Sequence, residues 1–224
     1  MKIERWDTKE VIFEMECDSW VDLIKGALKA KVSFYYANLR YANLSYADLS
    51  SADLSYANLS SANLSYANLR YADLSSADLS YANLSSANLR SANLRYADLS
   101  SADLSYANLS SANLRSANLR YADLSSADLS YANLSYADLR YAVWKWAIGN
   151  MEELKSMQLD KYTIVFSSTE MAIGFQMHSI EKWKSFTDNE ISTMDDGALE
   201  WWRKWKEFIF KAIELSGEVK DDTE

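Results

Sequence analysis

Residues 57–76 read ANLSSANLSYANLRYADLSS, and the same Ala-Asn/Asp-Leu triplet recurs every five residues from Ala37 to Leu139, in 21 copies. In an α-helix, leucines five residues apart would rotate by about 140° per step and scatter around the axis. In a flat strand they would alternate between the two faces. A chain that turns a corner after every repeat buries all the leucines together, so the sequence predicts a stacked coil.

In such a coil the alanine and leucine of each repeat point inward, and the other three residues face solvent. Successive turns of the coil pair through their backbones at a spacing of about 4.8 Å. Each buried leucine is expected to contribute about 1.5–3 kcal/mol, and the Asn or Asp beside it can hydrogen-bond to the backbone at the corners. The predicted core includes Leu59, Leu79, Leu89, Leu99 and Leu119.

The array resembles the pentapeptide-repeat family, whose motif is A(D/N)LXX, in copies such as residues 57–61 and 97–101. The resemblance implies a mainly β fold: a right-handed quadrilateral β-helix with four repeats, about twenty residues, in each coil. Residues 32–34 and 142–144 are degenerate copies, which extend the array to nearly six coils. Many family members carry glycine at the last repeat position, but this array has only Tyr or Ser there, so we expect corners that avoid positive φ angles.

A longer unit is superimposed on the five-residue period. Residues 81–105 and 106–130 are identical, and residues 56–80 differ from them at two positions. Because this unit contains five repeats and the expected coil contains four, equivalent residues shift by one face of the coil from unit to unit. Such uniformity is typical of recent tandem duplication or of consensus design, and the sequence leaves these two origins open.

A stacked coil has apolar ends and unpaired strand edges, so caps are expected on both sides of it. The end segments resemble those of phage- and clostridial-type pentapeptide proteins. The predicted organisation is a strand-helix cap, the β-helix, an α+β cap that ends in an amphipathic helix, and a disordered tail, over residues 1–31, 32–146, 147–216 and 217–224.

Within the caps, a strand over residues 11–17 is expected to bury Val11 and the alternate residues after it. A helix capped by Asp18 or Ser19 follows. Residues 162–166 and 172–176 have the pattern of a hairpin. Residues 198–215 form an amphipathic helix, whose predicted apolar face consists of Trp201, Trp202, Trp205, Phe208, Ile209, Ala212 and Ile213.

Reactive residues are scarce. His178 is the only histidine and Cys17 the only cysteine, which excludes a histidine-pair metal site and an internal disulfide. No phosphate-binding glycine loop and no nucleophile-elbow motif is present. The sequence therefore predicts a protein without catalytic activity, cofactor or metal. The amino-terminal residues lack an apolar signal core and no 18 apolar residues run together, so we expect a cytoplasmic protein with no membrane span.

The charge pattern leaves three functional hypotheses. The net charge of −9 disfavours direct binding to DNA or RNA. The first hypothesis is a natural or designed scaffold that binds a protein through its faces, with Tyr96, Asp98, Asp103 and Asp123 as candidate contacts. The second is a DNA mimic that binds bacterial DNA gyrase, as some family members do. The third is a ligand-binding or enzymatic carboxy-terminal module.

Two structural features would separate these hypotheses. A continuous acidic stripe along one face favours the DNA mimic, and scattered Asp and Arg residues favour the scaffold. A convergent polar pocket around His178 is required for the third hypothesis. The sequence does not set the oligomeric state.

Overall fold

The computed structural model describes residues 1–144, 147–149, 155–167, 169–174 and 176–217. The chain divides into two compact units, Met1–Glu153 and Leu154–Glu224. The tail that was predicted to be disordered lies, from residue 218 onward, outside the described residues.

The repeats of the first unit form a parallel β-helix with four repeats in each coil. Every bridge within the array is parallel and joins a residue to its equivalent four repeats later, from Asn38 and Asn58 to Asp128 and Ile148. Four repeats therefore complete one coil, as the quadrilateral prediction requires. Repeats inside the array donate three backbone hydrogen bonds to neighbouring coils, as in Asn58 N–H to Ala37 O at 2.9 Å, Leu59 N–H to Asp78 O at 2.7 Å and Ser61 N–H to Ser80 O at 2.9 Å.

The corners correct one prediction from the sequence. The fifth residue of the repeats, a Tyr or Ser, has φ between 57° and 63° throughout the array, so the corners use the left-handed region that we expected them to avoid. The N–H of the next alanine closes each turn on the leucine carbonyl, as from Ala42 to Leu39 at 3.1 Å. This bond and the positive φ define a type II turn. The ladder bonds on both sides fix the corner backbone, so the glycine-like conformation persists without glycine.

The Asn and Asp side chains support these corners as predicted. The Asn58 Oδ1 accepts the Ser60 backbone N–H at 3.0 Å and the Ser60 hydroxyl at 2.7 Å. Equivalent bonds to the N–H two residues later recur in the successive repeats. These residues hold the first half of each turn through an Asx-type bond.

The interior of the coil consists of leucine and alanine alone over most of its length. The leucines from Leu39 to Leu129 are fully buried, and burial becomes incomplete at Ala137 and Leu139. The five leucines named as core residues, Leu59, Leu79, Leu89, Leu99 and Leu119, are each 0% exposed.

The amino-terminal segment pairs with the first coil. Strands β1 (Lys2–Glu4) and β2 (Val11–Glu14) are antiparallel, and helix α1 (Trp20–Lys29) begins after Ser19, whose side chain accepts the Asp22 N–H. The carbonyl of Glu4 accepts the Asn38 N–H at 2.7 Å, which joins β1 to the array. The predicted strand over residues 11–17 is shorter than expected.

One residue of this segment differs from the sequence pattern. Val11, expected to be buried, is 46% exposed at the start of the two-stranded ribbon. Phe13 and Met15 do face α1, where a Cβ on Gly26 would come within 2.3 Å of the Met15 Sδ. A larger residue at position 26 would therefore require the flexible Met15 side chain to move away from α1.

The second unit is a four-stranded antiparallel sheet followed by three helices. The strands, in sheet order, are β3 (Lys155–Leu159), β4 (Tyr162–Phe166), β5 (Glu170–Ile173) and β6 (Gln176–Ser179). The helices are α2 (Ile180–Ser185), α3 (Asp188–Ser192) and α4 (Ala198–Gly217). The predicted hairpin is present as the pair β4 and β5, although β5 begins and ends earlier than residues 172–176.

The core of this unit is aromatic. Trp183, Trp201 and Trp202 are buried together with Ile164 and Ile209. Phe208, which was predicted to be on the buried face of α4, is 52% exposed because it lies at the edge of the apolar stripe.

We expect Leu89→Ala to lower the free energy of unfolding by about 2–5 kcal/mol, because Leu89 is fully buried and the substitution leaves a cavity. Tyr96→Ser, at an exposed corner where Ser is the alternative residue of the array, should cost much less. Denaturant unfolding of the two variants checks this, and equal costs would contradict the assignment of inward and outward positions.

We expect Ser101→Gly to raise the free energy of unfolding by about 0.5–1 kcal/mol, because Ser101 has a φ of 58° and glycine adopts this region without strain. The matched control is Ser100→Gly, one residue earlier, where φ is not positive. There glycine adds freedom to the unfolded chain and should be destabilising. Denaturant midpoints that move in the same direction for both variants would contradict the strain at the corners.

Candidate protein-interaction surface

The outer surface of the array has four faces, one for each repeat of a coil. We number them 1 to 4 by the repeats that begin at Ala37, Ala42, Ala47 and Ala52, each continued at every fourth repeat along the chain. On each face the second and fourth residues of a repeat point outward, and the fifth residue stands at the corner to the next face. The fixed backbone gives every outward side chain a defined place in a grid.

Tyrosine dominates the corners. Twelve tyrosines of the array are between 43% and 86% exposed. Some stack along the array, as Tyr46 does on Tyr66 with ring centroids 5.0 Å apart and planes 3° apart. Other tyrosine rings have an arginine guanidinium over them. The Cζ of Arg40, for example, lies 4.5 Å from the centroid of the Tyr41 ring. The twelve are Tyr41, Tyr46, Tyr56, Tyr66, Tyr71, Tyr81, Tyr96, Tyr106, Tyr121, Tyr131, Tyr136 and Tyr141.

The aspartates are spread over all four faces. Face 1 carries Asp78, Asp98 and Asp138; face 2 carries Asp103 and Asp123; face 3 carries Asp48 and Asp128; and face 4 carries Asp53 and Asp73. Asparagine occupies most other second positions, so no face has an unbroken acidic column.

The arginines interrupt the acidic surface further. They lie on face 1 (Arg40, Arg120 and Arg140), face 3 (Arg70 and Arg90) and face 4 (Arg95 and Arg115). This scattered distribution is the pattern that the scaffold hypothesis predicts.

The candidate contact residues fall into two neighbouring groups. Asp103 and Asp123 lie on adjacent coils of face 2 and are bridged through their backbones. Tyr96 is 56% exposed at the corner between faces 4 and 1, two residues before Asp98. The structure therefore brings Asp103 next to Asp123, and Tyr96 next to Asp98.

Arginine is absent from the individual contact residues that were named from the sequence. The Arg95 guanidinium donates to the Tyr96 hydroxyl at 3.3 Å, and this hydrogen bond lowers the pKa of Tyr96. Arg115 lies over the ring of Tyr136, with its Cζ 5.2 Å from the centroid. Arg95 directly precedes Tyr96 in the sequence, and the spacing of four repeats per coil would have placed Arg115 beside Tyr136.

The second unit contains a cavity of about 140 Å³ lined by aromatic residues, among them Tyr162, Trp183, Trp201 and Trp202. His178 does not line it. The imidazole instead packs edge-on against Trp183 and Phe186, with centroids 5.4 and 4.9 Å away. Burial, with a smaller effect of Lys182, lowers the pKa of His178 and favours the neutral ring. The described residues thus show His178 in an aromatic cluster rather than in a convergent polar pocket.

The part of the chain that the structure describes lacks two further kinds of feature. No group of three or more His, Cys, Asp or Glu side chains is placed to hold a metal ion there. No helix among those residues is long and apolar enough to cross a membrane.

The parallel bridges, the five-residue corners and the leucine interior define the class of this protein, a β-helical repeat protein. A family model described as Pentapeptide repeats matches residues 33–70, 67–105 and 107–143, with 8 copies. The chain belongs to the pentapeptide-repeat family.

Solved structures similar to this chain include two pentapeptide repeat proteins and one fluoroquinolone resistance protein. Rfr23 from the cyanobacterium Cyanothece 51142 is 39% identical, with a TM-score of 0.40, over 44% of this chain and 64% of its own. A pentapeptide repeat protein from Nostoc is 34% identical, with a TM-score of 0.29, over 59% of this chain and 100% of its own. QnrB1, a plasmid-mediated fluoroquinolone resistance protein, is 22% identical, with a TM-score of 0.30, over 49% of this chain and 70% of its own.

A search of curated protein sequences gave no match.

Proposed function

We propose that this chain is a non-enzymatic scaffold that binds a protein partner through the tyrosine-lined corners of its β-helix. The observation that carries the proposal is the set of twelve tyrosines, 43–86% exposed, held at fixed corners of the array. Tyrosine provides a large amphipathic contact area, and ordering its two side-chain torsions costs little entropy. Ser, Asn and Arg, the other outward residues, supply adaptable hydrogen bonds of the kind found in binding surfaces.

The surface charge supports a protein partner over a nucleic acid. The nine Asp and seven Arg residues of the array leave it slightly acidic, whereas a nucleic-acid surface is basic. Tyrosine and arginine are also the residues that protein interfaces favour. The alternative hypothesis is a DNA mimic whose partner is DNA gyrase.

The test uses a variant in which Tyr66, Tyr81, Tyr106 and Tyr131 are replaced by Ser. Because other repeats hold Ser at this position, the variant should keep its fold and its unfolding midpoint. In quantitative affinity purification we expect this variant to lose the protein partners that the wild-type chain retains. The affinity of the variant for such a partner should be at least about tenfold lower than that of the wild type. The matched control replaces Asn83, Asn108 and Asn133 by Asp, the other residue found there, and should retain those partners.

Two outcomes would contradict the scaffold proposal. One is a partner that binds the Tyr→Ser variant and the wild type equally well. The other is inhibition of gyrase supercoiling at low protein concentration that weakens as salt is added, which would establish the DNA mimic instead. With aspartates on four faces, we expect no inhibition.

We further propose that the carboxy-terminal unit is a cap that protects the last coil of the array. The support is the end of the repeat array after Leu139, because any solenoid end presents an unpaired edge and an apolar surface that need cover.

Removal of residues 150–224 should therefore cause end-to-end association. Light scattering in about 0.5 M salt, which weakens contacts between exposed charges, measures this association directly. A truncated chain that stays monomeric at high concentration, with the circular dichroism of a folded array, would show that the unit is no cap.

A further inference from the structure

Face 4 has an order of charges that is complementary to itself. Along its successive coils the outward charged residues are Asp53, Asp73, Arg95 and Arg115. Two negative charges are therefore followed by two positive ones along the coil axis. From the geometry we propose that face 4 is a homotypic interface, through which two copies of the chain form an antiparallel dimer.

The twofold axis of this dimer would run across face 4, between the coil of Asp73 and the coil of Arg95. This rotation places Asp73 near the Arg95 of the second copy and Asp53 near its Arg115, and by symmetry each contact occurs twice. Asp and Arg stand two residues apart in the repeat, about 7 Å along a strand, which the long arginine side chain spans. Parallel packing of the same faces would oppose like charges.

The isolated chain leaves these charges without opposite partners. Asp53 and Asp73 are bridged neighbours on adjacent coils, and the Tyr96 N–H bonds to the Arg115 carbonyl, so the two arginines also lie on adjacent coils. None of the four forms an ion pair with another residue in the described ranges. Like charges that face each other across a ladder are destabilising. Antiparallel pairing would give each of them an opposite charge.

The side chains at the corners of face 4 also match in size between the two copies. The corner after each of the four charged repeats holds Tyr56, Ser76, Tyr96 and Ser116 in successive coils, with the two tyrosines 43% and 56% exposed. The same twofold rotation sets Tyr56 against Ser116 and Ser76 against Tyr96 of the second copy. Each exposed ring thus faces a small residue.

The corner before each repeat follows the same rule. It holds Ser51, Tyr71, Ser91 and Ser111. The rotation opposes Tyr71 to Ser91, and Ser51 to Ser111. Within the four coils that carry the charges, neither corner of face 4 brings two tyrosines into opposition.

Face 1 contains two Asp followed by two Arg within a longer series of charges, and it fits less well. Its Asp78, Asp98, Arg120 and Arg140 would pair in the same way. Arg140, however, already forms an ion pair with Asp138 at 2.5 Å. The rotation would also oppose two bulky rings, those of Tyr81 and Tyr141. Both features favour face 4.

The interface would be small. The four coils extend over about 14 Å between the first and the last, so the dimer belongs with weak, charge-dependent associations. We expect it to form at about 100 µM protein in about 0.01 M salt, and to dissociate in about 1 M salt.

The test uses two variants of the full chain that contain only residues already found at the same repeat positions. The first, with D53N, S55R, D73N and S75R, has an entirely basic face 4. The second, with N93D, R95S, N113D and R115S, has an entirely acidic one. Sedimentation equilibrium at low salt should show dimerisation of each variant weakened by at least about tenfold relative to the wild type. An equimolar mixture of the two should recover a dimer.

The matched control makes the first set of changes on face 2, with D103N, S105R, D123N and S125R, and should dimerise like the wild type. Circular dichroism establishes that each variant is folded. A wild-type chain that is monomeric at low salt would overturn the proposal. A dimer that survives in the basic variant, or is lost in the face 2 control, would overturn it equally.

Discussion

The structure depends on the left-handed backbone conformation of the last residue in each repeat. At Ser61, for example, a φ of 58° turns the chain through a corner while the Ala62 N–H closes the turn on Leu59. Because every corner uses the same geometry, four successive repeats return the chain to its starting face. Each leucine then lies directly over the leucine of the preceding coil. Left-handed φ in a non-glycine residue costs about 1–2 kcal/mol, so leucine burial and the ladder must outweigh this cost at every corner.

The periodic part of the fold could be predicted from the sequence because the five-residue pattern buries all its leucines only in a coil that turns a corner after every repeat. A five-residue period with leucine in the centre, as at Leu99, is incompatible with a straight helix or strand. The corner conformation was predicted wrongly because local preference points the other way: Tyr and Ser avoid positive φ in isolation. The hydrogen bonds of the ladder override that preference, and these bonds join residues that are four repeats apart in the sequence.

The ends of the chain were harder to predict, for a different reason. Helix α1 carries its own signals, a capping Ser19 and an apolar stripe. Strands β3 and β6, KSMQL and QMHS, contain no β-branched residue and no Phe, Tyr or Trp. Their strand state comes from pairing with β4 and β5, and a single-sequence pattern does not contain that pairing. The aromatic cluster around His178 likewise depends on helix α2 folding back beside β6.

The surface of the array is more varied than its sequence because two periods compete. A coil contains four repeats, whereas the longer sequence unit contains five, so each unit is displaced by one face. Paired aspartates and paired arginines, such as Asp98 with Asp103 and Arg115 with Arg120, consequently wind around the array as two oppositely charged spirals. A sequence unit of four repeats would instead stack each charge into a straight column of one sign. The mismatch gives each face its own order of charges, and on face 4 that order reverses its sign halfway along, which is the condition for a surface to pair with a copy of itself.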